Sequence, residues 1–283
     1  MVAKRIRQLE KAVGARLFNR TTRSINLTSA GTHLHMKAGD LVAGFDEVVH
    51  SLKHQERELH GLIRVMAPTT LTMFYLGEAF SSFLREHPHV TLELQLVDRS
   101  VNPLEEGFDL AISGRSTNYE GVIDVPLCSA GPILCVSPEY LKRRGTPSHP
   151  RDLVEHDCLI FKPAGSQWMF QGASGMITVE APPRMIADDN CTLLQAAKAG
   201  CGITIIPRYV AAMDLDANVL QVLLPEFPPQ ENWFRAYVPR RRHGLPRVKA
   251  LIEWIATYMT ELSRNSTSEE RPIVSLRSQK KKI

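Results

Sequence analysis

Near residue 60 the apolar residues change period, and that change divides the chain into two unlike parts. Before it, Leu34, Ala38, Leu41, Phe45, Val48, Leu52 and Leu59 keep the alternating four-three spacing of a heptad seam, with Gln55 the polar exception. Thr28 is placed to cap the helix they define, and Gly61 to break it. From Leu62 onward short apolar strands alternate with helical segments, at 62–67, 71–85, 90–97, 104–107 and 109–113. A second set follows at 133–136, 159–161, 177–179, 185–187, 191–199 and 203–206. This alternation predicts an α/β fold, and the length suits two lobes. Breaks at Gly131-Pro132, Gly145-Thr-Pro147 and 225–229 separate the blocks, and 246–262 has the helical period of an element packed on a lobe. The chain is therefore expected to cross between lobes twice.

Four heptads of apolar positions exceed what a surface helix needs, so 28–60 is expected to pair with a second copy, giving a homodimer. Packing within one chain is the alternative.

Charge is concentrated ahead of that helix. Lys4, Arg5, Arg7, Lys11, Arg16, Arg20 and Arg23 face only Glu10 among the first 23 residues, a local excess of six in a chain whose net charge is +4. Such an arm displaces counterions from phosphate and favours nucleic acid over a membrane as partner. Val2, Ile6, Leu9 and Val13 fall on one helical face and Gly14 is a natural stop, while Lys4, Arg7 and Lys11 occupy another face. Leu17-Phe18 and Ile25 to Leu27 then read as short strands, with the basic connection 19–24 forming a wing that carries Arg20, Thr22 and Arg23. A solvated amphipathic helix followed by a plain hairpin fits the same spacing.

Composition excludes other classes. With 43% apolar and 23% charged residues in 283, the chain reads as a globular protein with no span for a bilayer. The basic N-terminus lacks a following apolar run and a small-residue cleavage site, which points to the cytoplasm. Cys128, Cys135, Cys158, Cys191 and Cys201 form no CxxC pair and suit buried packing, with a regulatory thiol at Cys191 or Cys201 as the minor reading. His33 and His35 diverge on a helix and define no metal site. There is no GxSxG elbow, phosphate loop, HExxH or dinucleotide fingerprint, so neither an enzyme nor a cofactor is expected.

Several motifs carry a resemblance. Arg7-Gln-Leu-Glu10, Gly14-Ala-Arg-Leu-Phe-Asn-Arg20 and Leu27-Thr-Ser-Ala-Gly31 resemble the winged helix-turn-helix of LysR-type transcriptional regulators. Phe108-Asp-Leu-Ala-Ile-Ser-Gly-Arg115, Val136-Ser-Pro-Glu-Tyr-Leu141, Gly145-Thr-Pro147, Asp152-Leu-Val-Glu-His-Asp-Cys-Leu159 and Gly200-Cys-Gly-Ile-Thr-Ile-Ile-Pro207 resemble that family's effector domain. The resemblance runs from Met1 to about residue 262. It implies a two-lobed fold similar to periplasmic binding proteins of type 2, a small effector in the cleft, and commonly a tetramer. It also implies that Met1 lies inside the recognition helix, so that the helix-turn-helix is N-terminally truncated, by a start placed too late or as a real fragment.

The expected organisation is a partial winged helix-turn-helix at 1–27, a dimerising coiled-coil linker helix at 28–60, effector lobe 1 at 61–131 with 234–262, lobe 2 at 132–233, and a disordered tail at 263–283. DNA contact is expected from Lys4, Arg5, Arg7, Arg20, Thr22 and Arg23. Turns after strands offer backbone donors to an effector, possibly an anion. Three such turns stand out. Thr69 and Thr70 also suit plain N-capping. Ser113, Gly114 and Arg115 offer a guanidinium fork, though Arg115 also suits an exposed position. Gly200, Cys201 and Gly202 permit close backbone approach, and equally fit a helix C-cap. The expected function is effector-controlled DNA binding. The alternative is a dimeric ligand-binding protein without specific DNA readout, or a solute-binding protein of the same fold.

Overall fold

The computed structural model describes residues 2–20, 25–32, 34, 38 and 58–267. By internal contacts the chain divides into two units, residues 1–61 and 62–283. Most of the heptad positions, from Leu41 to Leu52, and the wing residues Thr22 and Arg23 lie outside the described residues, as do His33 and His35.

In the first unit, helix α1 (Val2–Val13) leads into strands β1 (Phe18–Arg20) and β2 (Ile25–Leu27), which pair antiparallel with Phe18 opposite Leu27. Glu10 joins these parts, because its Oε1 accepts the backbone N–H groups of Leu17 at 2.9 Å and Phe18 at 3.4 Å. The Thr28 hydroxyl donates to the Arg16 carbonyl at 2.6 Å and accepts the Gly31 N–H at 3.0 Å, so it caps the turn that follows. A Cβ on Gly31 would fall on the Leu17 carbonyl oxygen, a contact only glycine allows.

The second unit contains two five-stranded mixed sheets. In lobe 1 the order is β4 (His89–Leu96), β3 (His60–Ala67), β5 (Leu110–Ser113), β14 (Trp233–Pro239), β6 (Val122–Ser129). Here β3 and β5 run parallel, whereas β14 is antiparallel to both its neighbours. Central β5 is buried along its length, which is why Leu110 to Ile112 reads as an uninterrupted apolar run. In lobe 2 the order is β11 (Pro183–Ala187), β8 (Cys158–Phe161), β12 (Ile203–Pro207), β7 (Pro132–Val136), β13 (Gln221–Val222). Strands β11, β8 and β12 are parallel, and a hairpin of β9 (Gln167–Gly172) and β10 (Gly175–Glu180) places Trp168, Phe170 and Val179 in that lobe's core.

Three helices start at side-chain caps. Asn102 caps α3 (Pro103–Glu106), Ser137 caps α4 (Pro138–Arg144) and Asp189 caps α5 (Asn190–Lys198). Helix α6 (Arg208–Asp216) follows β12 directly, and α7 (Arg240–His243) follows β14. The segment expected as one helix at 71–85 is composite: a turn at Thr69–Leu71, a π-helical stretch at Thr72–Leu76, then α2 (Gly77–Glu86). The final helix α8 (Pro246–Thr267) packs on α2, with the Trp254 indole donating to Ser82 Oγ at 3.2 Å. It runs five residues past the expected boundary at 262, because nothing from Ser263 to Thr267 is Pro or Gly; residues 268–283 lie outside the described ones.

The lobes are joined by two crossovers, one between β6 and β7 and one leading into β14. They lie side by side, since the Ala130 N–H donates to the Asn232 carbonyl at 2.7 Å.

Candidate functional site

A cavity of about 370 Å³ opens between the two sheets of the second unit. Lobe 1 supplies Pro68, Thr70 and Leu71 after β3, Val97 to Arg99 after β4, and Ile112 to Ser116 at the end of β5. Lobe 2 supplies Phe161 at the end of β8, Trp168 and Met169 from β9, Asn190 at the start of α5, and Ile205 to Pro207 with Tyr209 at the end of β12. The crossovers close it with Ala130, Pro132, Gln230 and Asn232. Both sheets thus present the carboxyl ends of parallel strands to one space, where unpaired loop groups collect.

Four of the eight expected effector residues meet there: Thr70, Ser113, Gly114 and Arg115. Thr70 is 2% exposed, and its hydroxyl has no hydrogen-bond partner among the described residues. It caps nothing, for Pro68 occupies the N-cap position. Ser113 Oγ accepts the Arg115 N–H at 3.1 Å and thereby bends the loop. Gly114 is tight against Phe234, whose ring carbon would lie 3.0 Å from an added Cβ. The Arg115 side chain is exposed and forms no ion pair among the described residues. Thr69 does not line the cavity. It stands behind it, with its N–H donating to Asp98 Oδ2 at 3.3 Å.

Gly200, Cys201 and Gly202 do not line that cavity. They precede β12, whereas the cavity is lined by that strand's far end. Gly200, in the left-handed region at φ 69°, ends α5, and the Cys201 N–H returns to the Ala196 carbonyl at 3.0 Å, so this turn is a helix C-cap. A Cβ on Gly202 would come within van der Waals overlap of the Asp157 carbonyl. The glycines serve packing between a helix end and a strand start.

Several lining groups had no counterpart in the sequence reading. Asp98 is half-buried, and burial raises its carboxyl above the usual aspartate range, with nearby Asp188 and Asp189 pushing the same way against the Thr69 hydrogen bonds. Tyr209 of lobe 2 meets Tyr75 and Phe74 of lobe 1, at ring centroid distances of 5.0 Å and 5.6 Å. The π-helical stretch is what sets those two rings side by side. Burial pushes the Tyr209 and Tyr75 hydroxyls upward, so both stay protonated. Their signal was weak, for a tyrosine two residues after a strand is unremarkable in one dimension.

Four of the thiols are made less acidic by burial. Burial raises Cys128 to about 11 and Cys135 and Cys158 to about 12, and Cys191 is also raised, first by burial and then by Asp189 and Asp98. Although Cys191 sits at the start of α5, burial holds its thiol up and the two carboxylates add to that.

In the first unit, Lys4, Arg5 and Arg7 are exposed on α1, and Arg20 ends β1. The Arg7 Nε donates weakly to the Ala3 carbonyl at 3.4 Å. Among the described residues, no helix is long and apolar enough to cross a membrane.

Comparison with known proteins places these parts. The family described as "LysR substrate binding domain" matches residues 56–260, and "Bacterial regulatory helix-turn-helix protein, lysR family" matches residues 1–32. The helix-turn-helix transcriptional regulator YhjC of Escherichia coli is 31% identical over 92% of this chain and 88% of its own. A helix-turn-helix transcriptional regulator of Haemophilus influenzae is 27% identical over 86% of this chain and 85% of its own. Among solved structures, CrgA, a LysR-type transcriptional regulator from Neisseria meningitidis, superposes with a TM-score of 0.64 at 23% identity, over 91% of this chain and 88% of that one. The Vibrio cholerae virulence activator AphB gives 0.63 at 23% identity, over 91% and 89%.

Proposed function

The chain belongs to the LysR family of bacterial helix-turn-helix transcriptional regulators, and we propose that it binds DNA under the control of a small molecule held between its two lobes. The observation that carries this reading is the cavity itself, walled by strand ends of both sheets and containing a buried hydroxyl without a partner among the described residues. A ligand touching both walls binds one separation of the lobes better than others, which is what an effector requires. Arg5 and Arg7 on α1 contact bases or backbone, with Lys4 beside them, and Arg20, Thr22 and Arg23 contact phosphates from the wing. The family's members are regulators rather than enzymes, and catalysis forms no part of this reading. We assign residues 28–60 to homodimerisation, the whole to a tetramer, and the place of action to the cytoplasm.

The test is fluorescence anisotropy with DNA from the chain's own upstream region and a scrambled duplex, across a salt series. Preference for the upstream DNA is expected, with Arg5→Ala weakening binding and lowering the salt slope by about one. Equal affinity for both duplexes overturns specific readout and favours a dimeric ligand-binding protein.

A further inference from the structure

Resting on the reading of this chain as a DNA-binding regulator, we infer that the end of lobe 1 away from the cleft carries a second, sequence-independent contact to DNA phosphates, made by Arg240 and Arg241. Between Glu231 and Glu253 the chain has no acidic residue and six basic ones, Arg235, Arg240, Arg241, Arg242, Arg247 and Lys249. That excess equals the one held by the first 23 residues. In a chain of net charge +4, the two stretches together outweigh a remainder of −8.

Strand β14 fixes where these cations stand. Arg235 lies opposite Ser113, at the cleft end of β5, and Tyr237 opposite Ala111, so α7 leaves the sheet at the other end. The second unit also begins there, for the Arg247 Nε donates to the Leu62 carbonyl at 3.2 Å. A buried carboxylate anchors the cluster: Asp109 Oδ2 accepts the Arg64 backbone N–H at 2.8 Å, and Arg242 Nε lies 2.9 Å from Oδ1. Burial raises this carboxyl, and Arg247, Arg64 and Arg241 act against that rise, so their guanidiniums surround it.

The nearby acids do not balance the cations. Arg64 is matched by Glu93 and Arg242 by Asp109, while Lys249 stands 3.8 Å from Glu253 on exposed surface. Glu120 precedes Gly121, whose carbonyl accepts the Arg240 N–H. Six cations thus face four acids, and Arg240 and Arg241 are the exposed pair of α7. The surface also lacks what a protein partner needs. No large apolar side chain from Arg240 to Ala250 is exposed, whereas protein interfaces have an apolar centre. Polar, cationic surface with guanidinium forks suits phosphate oxygens instead.

The experiment is fluorescence anisotropy of the full chain across a salt series, with upstream and scrambled duplexes of equal length and with poly-glutamate as a second ligand. The parent is compared with Arg240→Gln/Arg241→Gln and with Lys142→Gln/Arg151→Gln, an equal charge change on exposed residues of lobe 2. The first double variant is expected to lower the slope of log affinity against log salt by about two for both duplexes, since each phosphate contact contributes about 0.9. The ratio of upstream to scrambled affinity should stay the same, because phosphate contacts carry no sequence. The lobe 2 variant should leave the slope unchanged, and Arg240→Lys/Arg241→Lys should keep the parent's slope. Thermal unfolding of the first variant should match the parent's, as neither side chain is buried. A slope unchanged by Arg240→Gln/Arg241→Gln, or lowered equally by both glutamine variants, overturns the lobe 1 contact while the DNA-binding reading stands. Loss of poly-glutamate binding with the DNA slope intact also overturns it and assigns the patch to an acidic protein. Absence of DNA binding by the parent overturns that reading and this contact with it.

Discussion

Asp98 shows how much a single side chain takes from its surroundings. Its carboxyl is raised above the ordinary aspartate range because burial disfavours the charge. A raised acid contributes stability that is complete below the unfolded value near 4 and is lost as pH rises through the folded value. Asp98→Asn keeps an acceptor for the Thr69 N–H and removes the charge, so its thermal midpoint should exceed the parent's at pH 7 and fall level with it near pH 4. A gap independent of pH, measured by calorimetry at both values, would refute the assignment. Residues of this kind were hidden in the sequence because their property is created by the cleft. That Thr70, Ser113, Gly114 and Arg115 gather at strand ends beside one cavity was legible, since they sit at the abrupt end of an apolar run and the end of a parallel strand is where loops gather. Gly200 to Gly202 carried the same signal at the other end of β12 from the cavity: glycine marks both a ligand-facing turn and a helix C-cap, and the direction of the strand separates the two.

At the scale of elements, Glu10 is the instructive case. An acid in the last turn of a helix is poorly placed against the helix dipole, and in the sequence it counted only as an exception among arginines. In the structure it joins α1 to β1 through the Leu17 and Phe18 amides. Glu10→Ala should expose those amides, costing about 1 kcal/mol locally and speeding hydrogen exchange at Leu17 roughly fivefold to tenfold; unchanged protection would show that β1 is held by β2 alone. Strands β5 and β12 were readable because burial on both faces leaves an apolar run. Strands β6 and β14 were not, since each mixes polar and apolar residues and they pair with each other across distance. Arg235 of β14 meets Asp124 of β6 with Nε 2.6 Å from the carboxylate, a contact spanning 111 residues of chain. The π-helical stretch was equally hidden, because Thr72 to Leu76 has ordinary helical composition.

For the whole molecule, the two-lobed plan followed from the alternation of strands and helices, while the means of joining the lobes did not. Each lobe has its own buried cluster, around Met66, Ala111 and Tyr237 in one and around Leu134, Ile160 and Phe170 in the other. Between them stand the crossovers and the contact of Tyr209 with Phe74 and Tyr75. Truncating a large aromatic at such a contact costs about 3 kcal/mol. Tyr209→Ala is therefore expected to split the unfolding of the second unit into two resolved transitions, seen by tryptophan fluorescence and circular dichroism together; a single coincident transition would mean the crossovers alone couple the lobes. The hydrogen bond from Ala130 to Asn232 has a consequence of its own. Two threads fastened to each other between rigid sheets form one hinge pin rather than two independent joints, and a pin has one angle. For the effector proposed above, that single joint would leave one variable to set, the separation of the two sheets, however different the compounds that set it.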